Sequence, residues 1–143
     1  MTEGRLNPAA ILVSAFVYLA LGALWYGALF ATPWMALVNK PLKELEAVGG
    51  LAYVVAFFAA LAMATAIAIL FRRAGTATAA EGAIIGFLLG AALVMAPWVT
   101  NGVFEARPMA LSLIDSGYPV VGLTLMGAIQ GAWRKRSESS VAL

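Results

Sequence analysis

The stretch VGGLAYVVAFFAALAMATAIAILFRR, residues 48–73, decides the fold. From Val48 to Phe71 it carries no charged side chain, and it stops at the pair Arg72-Arg73. As a helix such a run extends about 36 Å at 1.5 Å per residue, enough to cross a hydrocarbon core about 30 Å thick. Lipid offers no water to backbone N–H and C=O groups, so a segment of this kind satisfies them internally, as a helix.

Three further runs have the same character. One follows Asn7-Pro8 and continues to Phe30, with Asn7 suited to cap it and Pro8 to its first turn. It is longer than the apolar region of a cleavable signal peptide and ends in bulky Leu29-Phe30, so we read it as retained. Another runs from Ala79 to about residue 103. The last, residues 108–133, is long enough but carries Asp115 and Gly117-Tyr118-Pro119 near its start, where a break in the helix is expected. Between the first two spans, Thr32 to Ala47 places Trp34, Leu37, Val38, Leu42 and Leu45 at helical spacing among lysines and glutamates. This pattern predicts a short interfacial helix on the membrane surface, broken at Pro41. The expected architecture is an all-α integral membrane protein: one domain, a bundle of four transmembrane helices over residues 8–30, 48–71, 79–103 and 108–133.

Composition agrees. Of 143 residues 63% are hydrophobic and 11% charged, and the mean hydropathy is +0.92, whereas soluble domains carry about a quarter charged residues. No cysteine and no histidine is present. The chain therefore lacks thiolate and imidazole ligands and the commonest general base, so no metal site and no cofactor is expected. The net charge of +2 does not point to nucleic acid, because the basic residues sit at span ends. The side holding both termini has Arg5, Arg72, Arg73, Arg134, Lys135 and Arg136, against Lys40, Lys43 and Arg107 on the other. By the positive-inside rule the termini are expected in the cytoplasm.

Two features stand out as candidates for function. Small residues recur at helical spacing: Gly82, Gly86 and Gly90 in the third span, Gly127 and Gly131 in the fourth, and Ala52, Ala56, Ala60, Ala64 and Ala68 in the second. Helices in lipid pack through such stripes. They serve packing within one subunit or a seam between copies, and their number favours a homo-oligomer. The second feature is a gathering of aromatic and polar residues in the half away from the termini: Trp25, Tyr26, Tyr53, Trp98, Asn101, Arg107, Asp115 and Tyr118. Together they are expected to line a pocket for a lipid-like ligand, since such sites combine apolar walls with a few polar groups. The plain alternative is an aromatic belt at the interface. Asp115 is costly within an apolar span and needs a partner, for which Arg107 is the first candidate and Glu105 its competitor. Glu81 suits the start of the third helix as a cap. Ser14, Tyr18, Gly22 and Trp25 share one inward face of the first helix, and Thr65, Thr124 and Gln130 suit hydrogen bonds between helices.

The elements Asn7, Leu24-Trp25-Tyr26-Gly27, Leu29-Phe30, Trp34-Met35, Ile114-Asp115-x-Gly117-Tyr118 and Gly127-Ala128-Ile129-x-Gly131-x-Trp133 give the chain a family likeness. It resembles small bacterial four-span membrane proteins grouped as domain of unknown function 1761, over essentially its full length. The resemblance implies the four-span fold and a bacterial inner-membrane setting, and it carries over no catalytic residue.

The functional expectation is a non-enzymatic membrane protein, a homo-oligomer or an accessory subunit of a membrane complex, that binds membrane lipid or an apolar small molecule through the aromatic cluster. Two alternatives compete with it. One is an oligomeric transporter or channel using Asp115 or Glu81. The other is a membrane-embedded enzyme for an amphipathic substrate, with Tyr118, Arg107 and Asp115 as its only constellation.

Overall fold

A computed structural model of the chain describes residues 5–134. Lys135 and Arg136, part of the basic count above, lie outside the described residues. The fold is all-helical, with four helices long and apolar enough to cross a membrane: Pro8–Leu29, Leu42–Ala74, Ala79–Phe104 and Met109–Ala132. They alternate in direction, so Asn7 and Trp133 meet at one end, where the Asn7 amide donates to the Trp133 carbonyl at 3.3 Å. We call this the terminal end and the opposite one the distal end.

Helix α1, Pro8–Leu24, starts as its sequence requires, with the Asn7 side chain accepting from the N–H groups of Ala9 and Ala10. A π-helical turn, Trp25–Leu29, closes this span, and a short helix α2, Ala31–Val38, follows. The break expected around Pro41 is present: Asn39 is left-handed at φ 49° and α3, Leu42–Ala74, begins after Pro41. Inside α3 the backbone kinks at Gly49 (φ 50°, ψ −140°), a conformation open to glycine alone, which separates a leading segment from the span proper. Gly75 (φ 74°) ends α3 in a left-handed cap.

Helix α4, Ala79–Leu89, opens with a reciprocal cap: Thr78 Oγ1 accepts from the Glu81 N–H, and the Glu81 carboxylate accepts from the Ala77 N–H. Glu81 is thus a cap, as expected. A second π-turn, Gly90–Met95, leads into α5, Ala96–Phe104. Pro97 supplies no N–H to the turn before it, and the helix widens there. The last span, α6, Met109–Ala132, differs from expectation, because Gly117-Tyr118-Pro119 does not break it. Neighbouring helices grip α6 on both sides of Pro119, and such packing lets spans keep a proline that would break an unsupported helix.

Helix α6 is the hub. It packs against α1, α3, α4 and α5, whereas α3 and α4 scarcely meet. The α4–α6 contact is backbone against backbone. A Cβ added at Gly82, Gly86 or Gly127 would lie 2.7 Å from a carbonyl carbon across the interface, and one at Gly90 would lie 2.7 Å from the Val120 Cα. The glycine stripes of the third and fourth spans are therefore used inside the subunit. On the other flank the Tyr18 ring occupies the space a side chain at Gly122 would need. Ile11 and Ala15 of α1 join Ala60, Ala64, Ile67 and Phe71 of α3 and Leu123 and Met126 of α6 in the core. Beyond the Phe16–Phe57 ring contact, the distal half of α3 is little covered: Leu51, Tyr53, Val54, Val55 and Phe58 are exposed.

Two polar ties cross the core at the terminal end. Gln130 is buried and donates to the Ala64 carbonyl at 2.9 Å. The Arg134 guanidinium donates to the carbonyls of Phe71, Arg72 and Thr76 around the C-terminal cap of α3, where Phe71 also accepts from the Gly75 and Thr76 N–H groups.

Candidate functional site

The distal end assembles around Asp115, on the second turn of α6. Its carboxylate oxygen Oδ1 accepts from the Tyr26 hydroxyl at 3.2 Å and from the Trp34 indole N–H at 3.0 Å. One donor comes from the π-turn after α1 and the other from α2. The acid therefore ties the whole first connection to α6. No described hydrogen bond uses Oδ2. One residue earlier, the Ile114 carbonyl accepts from the Trp25 indole at 3.0 Å. One turn further on, the Tyr118 hydroxyl donates to the Tyr18 carbonyl at 2.8 Å.

The rings touch as well as bond. Tyr118 lies with its centroid 4.6 Å from Tyr18, 5.6 Å from Tyr26 and 6.4 Å from Trp25, and Tyr26 meets Trp34 edge-on at 5.4 Å. Aromatic pairs favour these tilted and edge geometries because the ring edge is positive and the face negative. Two glycines make the approach possible. A Cβ at Gly22 would stand 2.8 Å from the Tyr118 hydroxyl, and one at Gly117 would stand 3.1 Å from the Trp25 ring. Pro119 lies at the same level and lacks the N–H that would reach the Asp115 carbonyl along the helix.

Of the residues expected to line this site, the structure brings together Trp25, Tyr26, Asp115 and Tyr118. Arg107 does not pair with Asp115. It bonds Glu105 at 2.5 Å and lies over the Trp98 ring at 5.2 Å, within the turn that joins α5 to α6. The shorter sequence distance decides the competition, because Glu105 and Arg107 share one turn. Asn101 is exposed on α5. Tyr53 is 75% exposed on α3, with no described hydrogen bond or ring contact to the cluster. Sequence reasoning left two members out of the site. By sequence pattern Trp34 belongs to the surface connection and Tyr18 to a packing face; the structure joins both to the cluster. The need of a carboxylate in lipid for N–H and O–H donors is the signal that points to Trp34.

This geometry limits the chemistry. Tyr118, Arg107 and Asp115 each have a different partner, so the constellation required by the enzyme alternative is not assembled by hydrogen bonding. Among the described residues, no group of three or more Asp and Glu side chains is placed to hold a metal ion.

A family model described as Protein of unknown function (DUF1761) matches residues 9–131, most of the chain. The chain belongs to that family. No curated protein and no solved structure matches it. The DUF1761 match includes every residue of the Asp115 cluster, from Tyr18 to Tyr118, and all four spans apart from their outermost residues.

Proposed function

We propose that this DUF1761 chain is a non-enzymatic membrane protein, acting as a homo-oligomer or as an accessory subunit, that binds an amphipathic lipid or apolar small molecule at its distal aromatic cluster. The observation that carries the reading is the direction of the polar edges. The N–H and O–H groups of Trp25, Tyr26, Trp34 and Tyr118 are all turned inward, onto Asp115 or backbone carbonyls. These four residues are half-buried, so what they offer outward is ring surface, which suits an acyl chain or a flat apolar body. Asp115 Oδ2 is the acceptor available to a hydroxyl or ammonium on the ligand.

The same network weighs against Asp115 as an ion carrier, since its two Oδ1 bonds pin the carboxylate between the first connection and α6, and Glu81 is held by its own helix start. The expected setting is a bacterial inner membrane with both termini cytoplasmic, which places the cluster in the outer leaflet.

Native mass spectrometry of the chain released from lipid discs tests this reading. Wild type is expected to release as a defined assembly with a reproducible bound mass. Asp115→Asn, which preserves shape, and Trp34→Phe, which removes the indole N–H and keeps an aromatic ring, are expected to lose that mass while remaining helical by circular dichroism. Retention of the same mass and lipids by both variants would end the proposal.

A further inference from the structure

At the terminal end, away from the aromatic cluster, α1, α3 and α6 surround a cavity of about 290 Å³. Its wall carries three arginines, Arg5, Arg72 and Arg134, and no acidic side chain among the described residues. Its floor is apolar, formed by Ala10, Ala68 and Phe71. The sequence accounts for these arginines as orientation signals at the ends of three spans, but the fold converges them on one space.

The electrostatics of this space are unbalanced. Arg134 is committed to three carbonyls, which satisfy its donors without cancelling its charge. Arg72 has its Nε buried with no hydrogen-bond partner among the described residues. A buried donor on a cation is costly unless an acceptor reaches it. The helix ends do not supply the missing charge. The C-termini of α3 and α6 contribute about half a negative charge each and the N-terminus of α1 about half a positive one, against three full positive charges. Among the described residues, a net excess of roughly two and a half positive charges faces the cavity on that arithmetic.

We propose that this cavity binds the phosphate of an anionic phospholipid, with Arg5 and Arg72 on the phosphate and an acyl chain over Ala10, Ala68 and Phe71. A basic wall above an apolar floor between spans matches a phosphodiester joined to hydrocarbon, and such pockets hold lipid headgroups at membrane surfaces. Inorganic phosphate has the same charge chemistry and no use for the floor. This site is separate from the distal one and stands or falls independently of it.

The test is lipid titration of the purified full chain, followed by native mass spectrometry, with phosphatidylglycerol, phosphatidylcholine and inorganic phosphate as the three probes. Phosphatidylglycerol is expected to bind in preference to phosphatidylcholine, and phosphate alone is expected neither to bind nor to compete. Arg5→Gln and Arg72→Gln are each expected to weaken phosphatidylglycerol binding about fivefold, in line with the contribution of one basic residue near a charged lipid surface. Arg73→Gln, one residue further on and not part of the wall, is expected to leave binding unchanged and so controls for general charge. Arg5 is exposed at the chain end, so its substitution reads the site without threatening the fold. Equal binding by wild type and both wall variants, or displacement of the lipid by inorganic phosphate, would overturn the proposal.

Discussion

Gly127→Ala tests whether the α4–α6 contact holds the subunit together. The new Cβ would stand 2.7 Å from the Gly82 carbonyl carbon, in a backbone that cannot swing aside as a side chain does. Carbon atoms in contact sit about 3.5 to 4.0 Å apart, so the helices must separate by roughly 1 Å. A gap of that size forfeits a quarter to a half of each contact's attraction, itself about 0.1 to 0.2 kcal/mol. Over several tens of contacts along this face the loss is on the order of 2 kcal/mol, within the usual range of about 1 to 3 kcal/mol for overpacking. Gly50→Ala is the control, because no atom lies within 4 Å of its added Cβ and it shares the helix-propensity gain. Unfolding in mixed micelles by increasing sodium dodecyl sulfate, followed by circular dichroism, should separate the two variants by about 2 kcal/mol or more. Stability of Gly127→Ala within about 0.5 kcal/mol of Gly50→Ala would refute the reasoning.

Other perturbations address other links. Asp115→Ala leaves the Tyr26 hydroxyl and the Trp34 indole without their shared acceptor and should cost about 1 to 3 kcal/mol; because the chain has no native cysteine, a single Met35→Cys label should report the release of α2 as faster thiol modification. Gln130→Leu keeps the volume but removes the bond to the Ala64 carbonyl, with an expected loss of about 0.6 to 2 kcal/mol in the same micelle assay. Arg134→Gln cannot reach three carbonyls at once, so amide hydrogen exchange should quicken at Gly75, Thr76 and Ala77, and unchanged protection there would show that the guanidinium does not hold the end of α3.

The spans were legible because lipid leaves a long uncharged run one structure, and their observed ends fall close to those read from the runs. The start of α3 is the exception. Leu42–Val48 is helical and merges with the span through a kink at Gly49, which hydropathy does not register. Polarity pattern also misjudged Pro119, since the packing of α6 on both flanks has no local signature. Within the site, Trp25, Tyr26, Asp115 and Tyr118 were found because an acid and aromatic side chains are conspicuous at one level of a bundle. The pairing was harder to read. Whether Asp115 meets Arg107 or Trp34 depends on the π-turn at Trp25–Leu29, which sets where the first connection descends, and π-turns leave little trace in sequence. The convergence of Arg5, Arg72 and Arg134 was hidden for a different reason: each arginine has a complete explanation at its own span end.

The hub role of α6 bears on how the protein is made. The ribosome delivers the helices in order, and the one that every other span packs against emerges after the other three. Until then α4 has no glycine partner, the Ala64 carbonyl has no Gln130 and Tyr26 and Trp34 have no Asp115. The first two inserted spans can pair through α1 and α3, but the third would wait in the bilayer without its main partner, and the bundle would close only on arrival of the fourth. Chains cut short before Met109 are thus expected to be inserted but unassembled, exposing to membrane proteases the surfaces that α6 would have covered.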